Sequence, residues 1–147
     1  DERKGLNDFI VLSKLIDKNY IIIIVGLTKK QIKKMPDNII CIERTNSEKE
    51  LAEIYSAADV FVNPTYEDNY PTTNLEAQAC GTPVITYNTG GSAESIISKE
   101  SVIVTGKVHS LYNGLIFSEK CLFSVPVSIG KGNYFLYLDL YKHLKFP

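Results

Sequence analysis

An excess of charge of either sign is missing from this chain: 16 Lys plus Arg stand against 17 Asp plus Glu in 147 residues. That balance excludes the basic surface a dedicated nucleic-acid binder carries, so no nucleic-acid partner is expected. No apolar run approaches the roughly 20 residues that span a bilayer. Residues 21–25 are far too short for this, and no secretory signal pattern opens the chain. Cysteine is scarce. Cys41, Cys80 and Cys121 are odd in number and widely spaced, with no CxxC pair and no Cys/His cluster at zinc spacing. These features exclude a disulfide framework and a structural zinc site. The expectation is three reduced, buried thiols in a cytoplasmic protein. Internal repeats and low-complexity segments are also missing. Gly130-Lys131-Gly132 lacks P-loop spacing and reads as a turn. His109 and His143 have no nucleophile or metal partner nearby in sequence and receive no role. The first residue is Asp rather than Met, which is read as a piece of a longer protein.

What is present is a globular composition, 44% apolar, at a length that suits one domain. Phe9, Leu12, Leu15 and Ile16 fall at helical spacing within residues 7–18, with Asn7 as the expected N-cap. Residues 21–25 form a continuous β-branched run ending at Gly26, as in a strand buried on both faces. A short basic helix over 28–35, closed by Pro36, and a strand over 38–42 follow. Ser47 and Glu50 form an expected capping box for a helix over 47–57. Then come a strand over 59–63, a helix over 71–80 stopped by Gly81, and a strand over 82–86. A short helix over 92–98, a strand over 101–104 and a helix over 108–117 complete the series. Apolar strands alternating with helices predict an α/β fold, a parallel sheet with helices on both faces. Residues 1–117 are assigned to this domain. Residues 118–147 are an extension whose Tyr134, Leu138, Tyr141 and Lys145 predict a final amphipathic helix over 134–144, packed on the same domain. Residues 118–133 fit no expected pattern.

Ligands of such sheets bind beyond the carboxyl ends of the strands. The loop after Asn63 is the richest there: Pro64-Thr65-Tyr66-Glu67-Asp68-Asn69-Tyr70, leading into a helix that begins Pro71-Thr72-Thr73-Asn74-Leu75-Glu76. A helix start offers backbone N–H groups and a positive dipole end to a phosphate. Asp68 just before it and Glu76 inside it are acceptors for sugar or ribose hydroxyls. The same acids also suit a plain helix start and a solvated face, so the physics alone leaves both readings open.

The run from Tyr66 to Ile85, followed by Gly90-Gly91-Ser92-Ala93-Glu94, resembles the signature of retaining group-one glycosyltransferases, most closely the capsule and lipopolysaccharide branch. Two acids separated by seven residues precede Cys80-Gly81-Thr82-Pro83-Val84, and residues 57–62 resemble the strand before that signature. The likeness covers residues 3–115. The first acid of the family is usually Glu. Here Asp68 holds the matching position, while the adjacent Glu67 gives one residue too many; Asp68 is preferred on spacing.

The resemblance implies one Rossmann-like half of a GT-B fold. The implied activity is sugar transfer, with retention, from a nucleoside diphosphate-sugar to an acceptor hydroxyl in surface polysaccharide synthesis, with no metal or other cofactor. The sequence has no Asp-x-Asp metal motif. Glu76 would bind the ribose, and Asp68 would face the donor sugar. The amides from Asn69 to Thr73 would hold sugar and diphosphate, including those of Tyr70 and Thr72, and the hydroxyls of Thr72 and Thr73 would add to them. Lys4, in Arg3-Lys4-Gly5, matches the family's diphosphate-binding Lys, and Arg3 stands in for its Arg. A solvated turn is the plainer reading of both cations. Gly26 fits a tight turn near the ligand or an ordinary strand end. Gly90 and Gly91 bring backbone toward the diphosphate or serve only their turn. Glu94 either contacts the site or caps a helix start after Ser92. Lys29, Lys30, Lys33 and Lys34 read as a solvated face, with an anionic lipid-linked acceptor or membrane surface as the alternative. The acceptor domain of a GT-B enzyme does not fit in this length. The expectation is therefore a fragment that transfers nothing alone, cytoplasmic or membrane-peripheral in the full protein, with a lipid-linked or glycan acceptor. A non-catalytic GT-B half that binds nucleotide or glycan stays open. A receiver-type signalling domain is disfavoured, because Asp59 begins its strand rather than ending it.

Overall fold

The computed structural model describes residues 2–122 and 134–139. A short 3-10 turn at Glu2–Lys4 leads into α1 (Leu6–Leu15), β1 (Tyr20–Val25), α2 (Lys29–Ile32), β2 (Ile39–Ile42) and α3 (Glu48–Ala57). Next come β3 (Val60–Asn63), α4 (Thr72–Ala79), β4 (Val84–Tyr87), a 3-10 turn at Ala93–Ser95, β5 (Val102–Val104), α5 (Val108–Leu122) and β6 (Tyr134–Asp139). The strands form one sheet in the order β2-β1-β6-β3-β4-β5, with every neighbouring pair parallel. The expected α/β architecture is therefore the observed one.

Alternation along the strands divides the core in two. Ile22 and Ile24 of β1, Val60 and Val62 of β3, and Ile85 and Tyr87 of β4 point to one face. There they meet Phe9 and Leu12 of α1 and Leu111 and Leu115 of α5. Val25, Phe61 and Val84 point to the other face, against Tyr55 of α3 and Ala77 of α4. Period-2 strands whose both sides are apolar need helices on both faces, and the chain supplies them.

Several local expectations are corrected. Residue 7 is not the N-cap of α1. Gly5 holds that place at φ +69°, with no side-chain cap. Only half of the Ser47 capping box forms, because the Ser47 hydroxyl accepts from Glu50 N. The Glu50 carboxylate instead takes the backbone and side-chain N–H groups of Asn46, at 2.6 and 3.0 Å. Residues 92–98 hold a single 3-10 turn rather than a helix, and Ser92 makes no side-chain cap. Gly81 does end α4, at φ +82°. Cys41 and Cys80 are free and half-buried, not fully buried.

The largest correction is at the carboxyl end. Residues 134–139 form a strand, not the start of a helix, and this strand lies between β1 and β3. Its register runs from Tyr20↔Tyr134 to Val25↔Asp139. Tyr134 and Leu138 do fall at helical spacing, but the unbroken run Tyr134-Phe135-Leu136-Tyr137-Leu138 is aromatic and apolar on both sides, as a central strand requires. The remainder of the expected helix, residues 140–144, lies outside the described residues, as do 123–133.

Candidate functional site

The turn that carries Arg3 and Lys4 is fixed against the loop after β3 by short contacts. Tyr66 N donates to the Arg3 carbonyl at 2.7 Å. The Thr65 hydroxyl lies 3.3 Å from that same carbonyl and 3.2 Å from that of Glu67. A Cβ on Gly5 would stand 2.2 Å from the Pro64 carbonyl oxygen, and φ there is left-handed. The residue after Lys4 is glycine for both reasons. With the turn so held, Lys4 Nζ donates to Asp68 Oδ2 at 2.8 Å, and both side chains are mostly buried. The other Asp68 oxygen accepts from Tyr70 N at 3.2 Å. Glu67 behaves differently. It is exposed and lies 4.0 Å from the exposed Arg3 guanidinium, a contact weakened by solvent.

Beyond Asp68 the chain enters α4, whose N-cap is Pro71, a residue with no side-chain acceptor to offer the first-turn amides. Thr72 and Thr73 are its first two residues. The Gly90-Gly91 turn lies directly against this loop. Ideal Cβ atoms on Gly90 and Gly91 would fall 2.1 Å from the Asp68 carbonyl oxygen and 1.8 Å from that of Asn69. Gly91 N donates to the Asp68 carbonyl at 3.0 Å. The close approach of both glycines is therefore to protein backbone. Gly26, at φ +90°, turns the chain after β1, and its N donates to Ile42 O at 3.0 Å. Glu94 is exposed, and Lys29, Lys30, Lys33 and Lys34 are all on the surface.

Glu76 faces elsewhere. Its carboxylate lies 3.5 Å from the Tyr55 hydroxyl. It lines a cavity of about 490 Å³ between α3 and α4 with Glu48, Leu51, Ala52, Tyr55, Ala79 and Cys80. A second cavity, of about 460 Å³, opens beside Lys4 and is lined by Arg3, Gly5, Asn7, Asp8 and Tyr66. The structure thus brings Lys4, Asp68, Asn69, Gly90 and Gly91 together and sets Glu76 in a separate groove between α3 and α4.

Two groups beneath the site were not anticipated from sequence. The first is a buried amide chain. Asn63 Nδ2 donates to Asn74 Oδ1 and Asn74 Nδ2 donates to Ser95 Oγ, each at 2.8 Å. Gln78 Nε2 donates to the carbonyls of Asn74 and Ser95, while its oxygen takes the N–H groups of Ile97 and Ser98. This chain ties the end of β3, the start of α4 and the turn after Gly91. The second group joins Asp8, Tyr66 and Tyr87, with both phenols donating to Asp8 Oδ2. Burial, and then the bond to Asp8, push both tyrosine pKa values up. The sequence signals for them were Asn63 and Tyr87 at strand ends and Asn74 and Asp8 in the first turns of helices.

The parallel sheet thus gathers an acid, a lysine and a glycine pair near one helix start. The family model described as "Glycosyl transferases group 1" matches residues 1–121, and the chain belongs to that family. A D-inositol 3-phosphate glycosyltransferase of Rhodococcus opacus is 43% identical over 51 residues, which are 35% of this chain and 11% of that protein. Its counterpart in an Arthrobacter species is 35% identical over 71 residues, 48% of this chain and 17% of that protein. Among solved structures, sucrose-phosphate synthase from Thermosynechococcus elongatus superposes with a TM-score of 0.70 at 25% identity, over 82% of this chain and 34% of that one. The chain therefore spans only a minor part of the relatives it matches. Among the described residues no helix is long and apolar enough to cross a membrane.

Proposed function

We propose that this chain is the donor-binding part of a retaining glycosyltransferase that moves a sugar from a nucleoside diphosphate-sugar to an acceptor hydroxyl in surface polysaccharide synthesis. The observation that carries the reading is the Lys4–Asp68 pair at 2.8 Å, held beside the uncapped start of α4. When the bond from the anomeric carbon to the diphosphate breaks, the leaving diphosphate gathers negative charge. A fixed ammonium and a helix start stabilise that charge without having to reorganise. Lys4 and the amides from Asn69 to Thr73 hold the diphosphate, with Arg3 and the hydroxyls of Thr72 and Thr73 beside it. Asp68 faces the donor sugar. Glu76, in its groove against α3, accepts from the ribose hydroxyls. Transfer needs an acceptor-binding domain from the full-length protein, so this chain binds donor without turning it over.

The test is calorimetric titration of the chain with UDP, GDP and ADP, followed by the same titration of Lys4→Ala and Glu76→Ala. One of the three nucleotides is expected to bind, and both variants to bind it more weakly. Silence toward all three nucleotides would overturn the reading, and so would turnover by the isolated chain for its fragment aspect.

A further inference from the structure

The turn that carries Lys4 is held in place by Tyr66, Asp8 and Tyr87. Tyr66 grips the chain on both sides of Lys4. Its backbone N–H donates to the carbonyl of Arg3 at 2.7 Å, and its hydroxyl donates to Asp8 at 2.7 Å. Asp8 is in turn anchored from the sheet, because the hydroxyl of Tyr87, fully buried at the end of β4, donates to the same carboxylate oxygen. The two phenol rings lie 5.2 Å apart, tilted by 51°. Asp8 N also donates to the Gly5 carbonyl at 2.9 Å, so the carboxylate rides on the turn that follows Lys4. One anionic oxygen therefore gathers α1, the β3 loop and β4 at the base of the Lys4 turn. Hydrogen bonds to a charged acceptor are about twice as strong as neutral ones, and two of them here share one acceptor.

The geometry points to Asp8, with Tyr66 and Tyr87, as a positioning group that presets Lys4 for diphosphate binding. The inference rests on the function proposed above and adds three residues to it. Without the clamp the Lys4 side chain keeps its charge but loses its fixed distance from Asp68 and the α4 start. Such preorganisation is what makes a cation effective toward a diphosphate.

The test is a titration series with UDP, GDP and ADP, using whichever binds the unaltered chain most tightly. Asp8→Leu is expected to weaken that binding about tenfold, the loss of one charge-assisted hydrogen bond's worth of positioning. Asp8→Asn keeps a carbonyl oxygen with two lone pairs for the two phenols and is expected to restore most of the affinity. In a Lys4→Ala background, Asp8→Leu is expected to cost little more, because the clamp acts through Lys4. Unchanged affinity in Asp8→Leu overturns the proposal, and so does a loss that adds in full to that of Lys4→Ala. Should Asp8→Leu not fold, Tyr66→Phe carries the same expectations and the same reversals, since it removes only a hydroxyl. If the unaltered chain binds none of the three nucleotides, the proposed function itself falls. If it binds and Asp8 is indifferent, only the clamp falls.

Discussion

The two ends of the proposed site are built by opposite means. Around Lys4 and Asp68, short polar contacts cross from the first residues to the β3 loop, from that loop to the glycine turn, and from α1 to β4. Around Glu76 the walls are mostly apolar, with Leu51, Ala52, Ala79 and Cys80 beside Glu48, and its contact to Tyr55 stretches to 3.5 Å. A preset polar end suits a group whose charge is always the same. A groove with apolar walls suits a flat ring bound by shape and burial. The comparison implies that the Lys4 end fails when backbone is displaced, and that the Glu76 end is sensitive to what fills it.

The strongest way to break the first end is Gly91→Ala. Its new Cβ would meet the Asn69 carbonyl at 1.8 Å, and backbone cannot swing aside as a side chain can. A loss of about 3 kcal/mol in urea unfolding is expected, together with loss of nucleotide binding. Asn74→Leu comes next. It strands the Asn63 amide in the interior and takes from the Ser95 hydroxyl, which still donates to the Ser92 carbonyl, the donor it accepted from, at a cost of about 2 kcal/mol by the same measurement. A smaller effect is expected from alkali. The folded Tyr87 hydroxyl keeps its proton well above the ordinary 10.0, whereas the unfolded chain releases it there. Its contribution to stability is therefore full below pH 10 and is lost as pH rises above it, and Tyr87→Phe should flatten that fall in melting curves. The mildest prediction concerns the groove. Cys80 lines it, while Cys41 lies in β2 with its thiol pKa raised by burial. Iodoacetamide should label Cys41 slowly at neutral pH, and a bound nucleotide should slow labelling of Cys80 alone, read by peptide mass spectrometry.

Much of this was legible because it is contiguous. The signature from Asp68 to Glu76, the helix it opens and the glycine that ends it are read within a few neighbouring residues. The run over 21–25 reads as a covered strand because it is β-branched throughout and ends at a glycine. What escaped is held by pairs far apart in sequence. Asp8 and Tyr87 are 79 positions apart, and Asn74 finds Ser95 across 21. No local pattern announces such partners, since each residue alone suits a cap or a surface. β6 was missed for another reason. A short apolar run has no period of its own, and only the space left between β1 and β3 decides that it is extended.

That strand bears on how the molecule comes to exist. Among the described strands, β2 and β1 are bonded to β3, β4 and β5 only through β6, the last of the six to leave the ribosome. Until Tyr134 reaches Tyr20, two part-sheets wait with their inner edges open, each able to pair with another nascent chain. Closing so distant a contact is slow, so yield from a cell would depend on synthesis rate and on chaperones holding those edges apart.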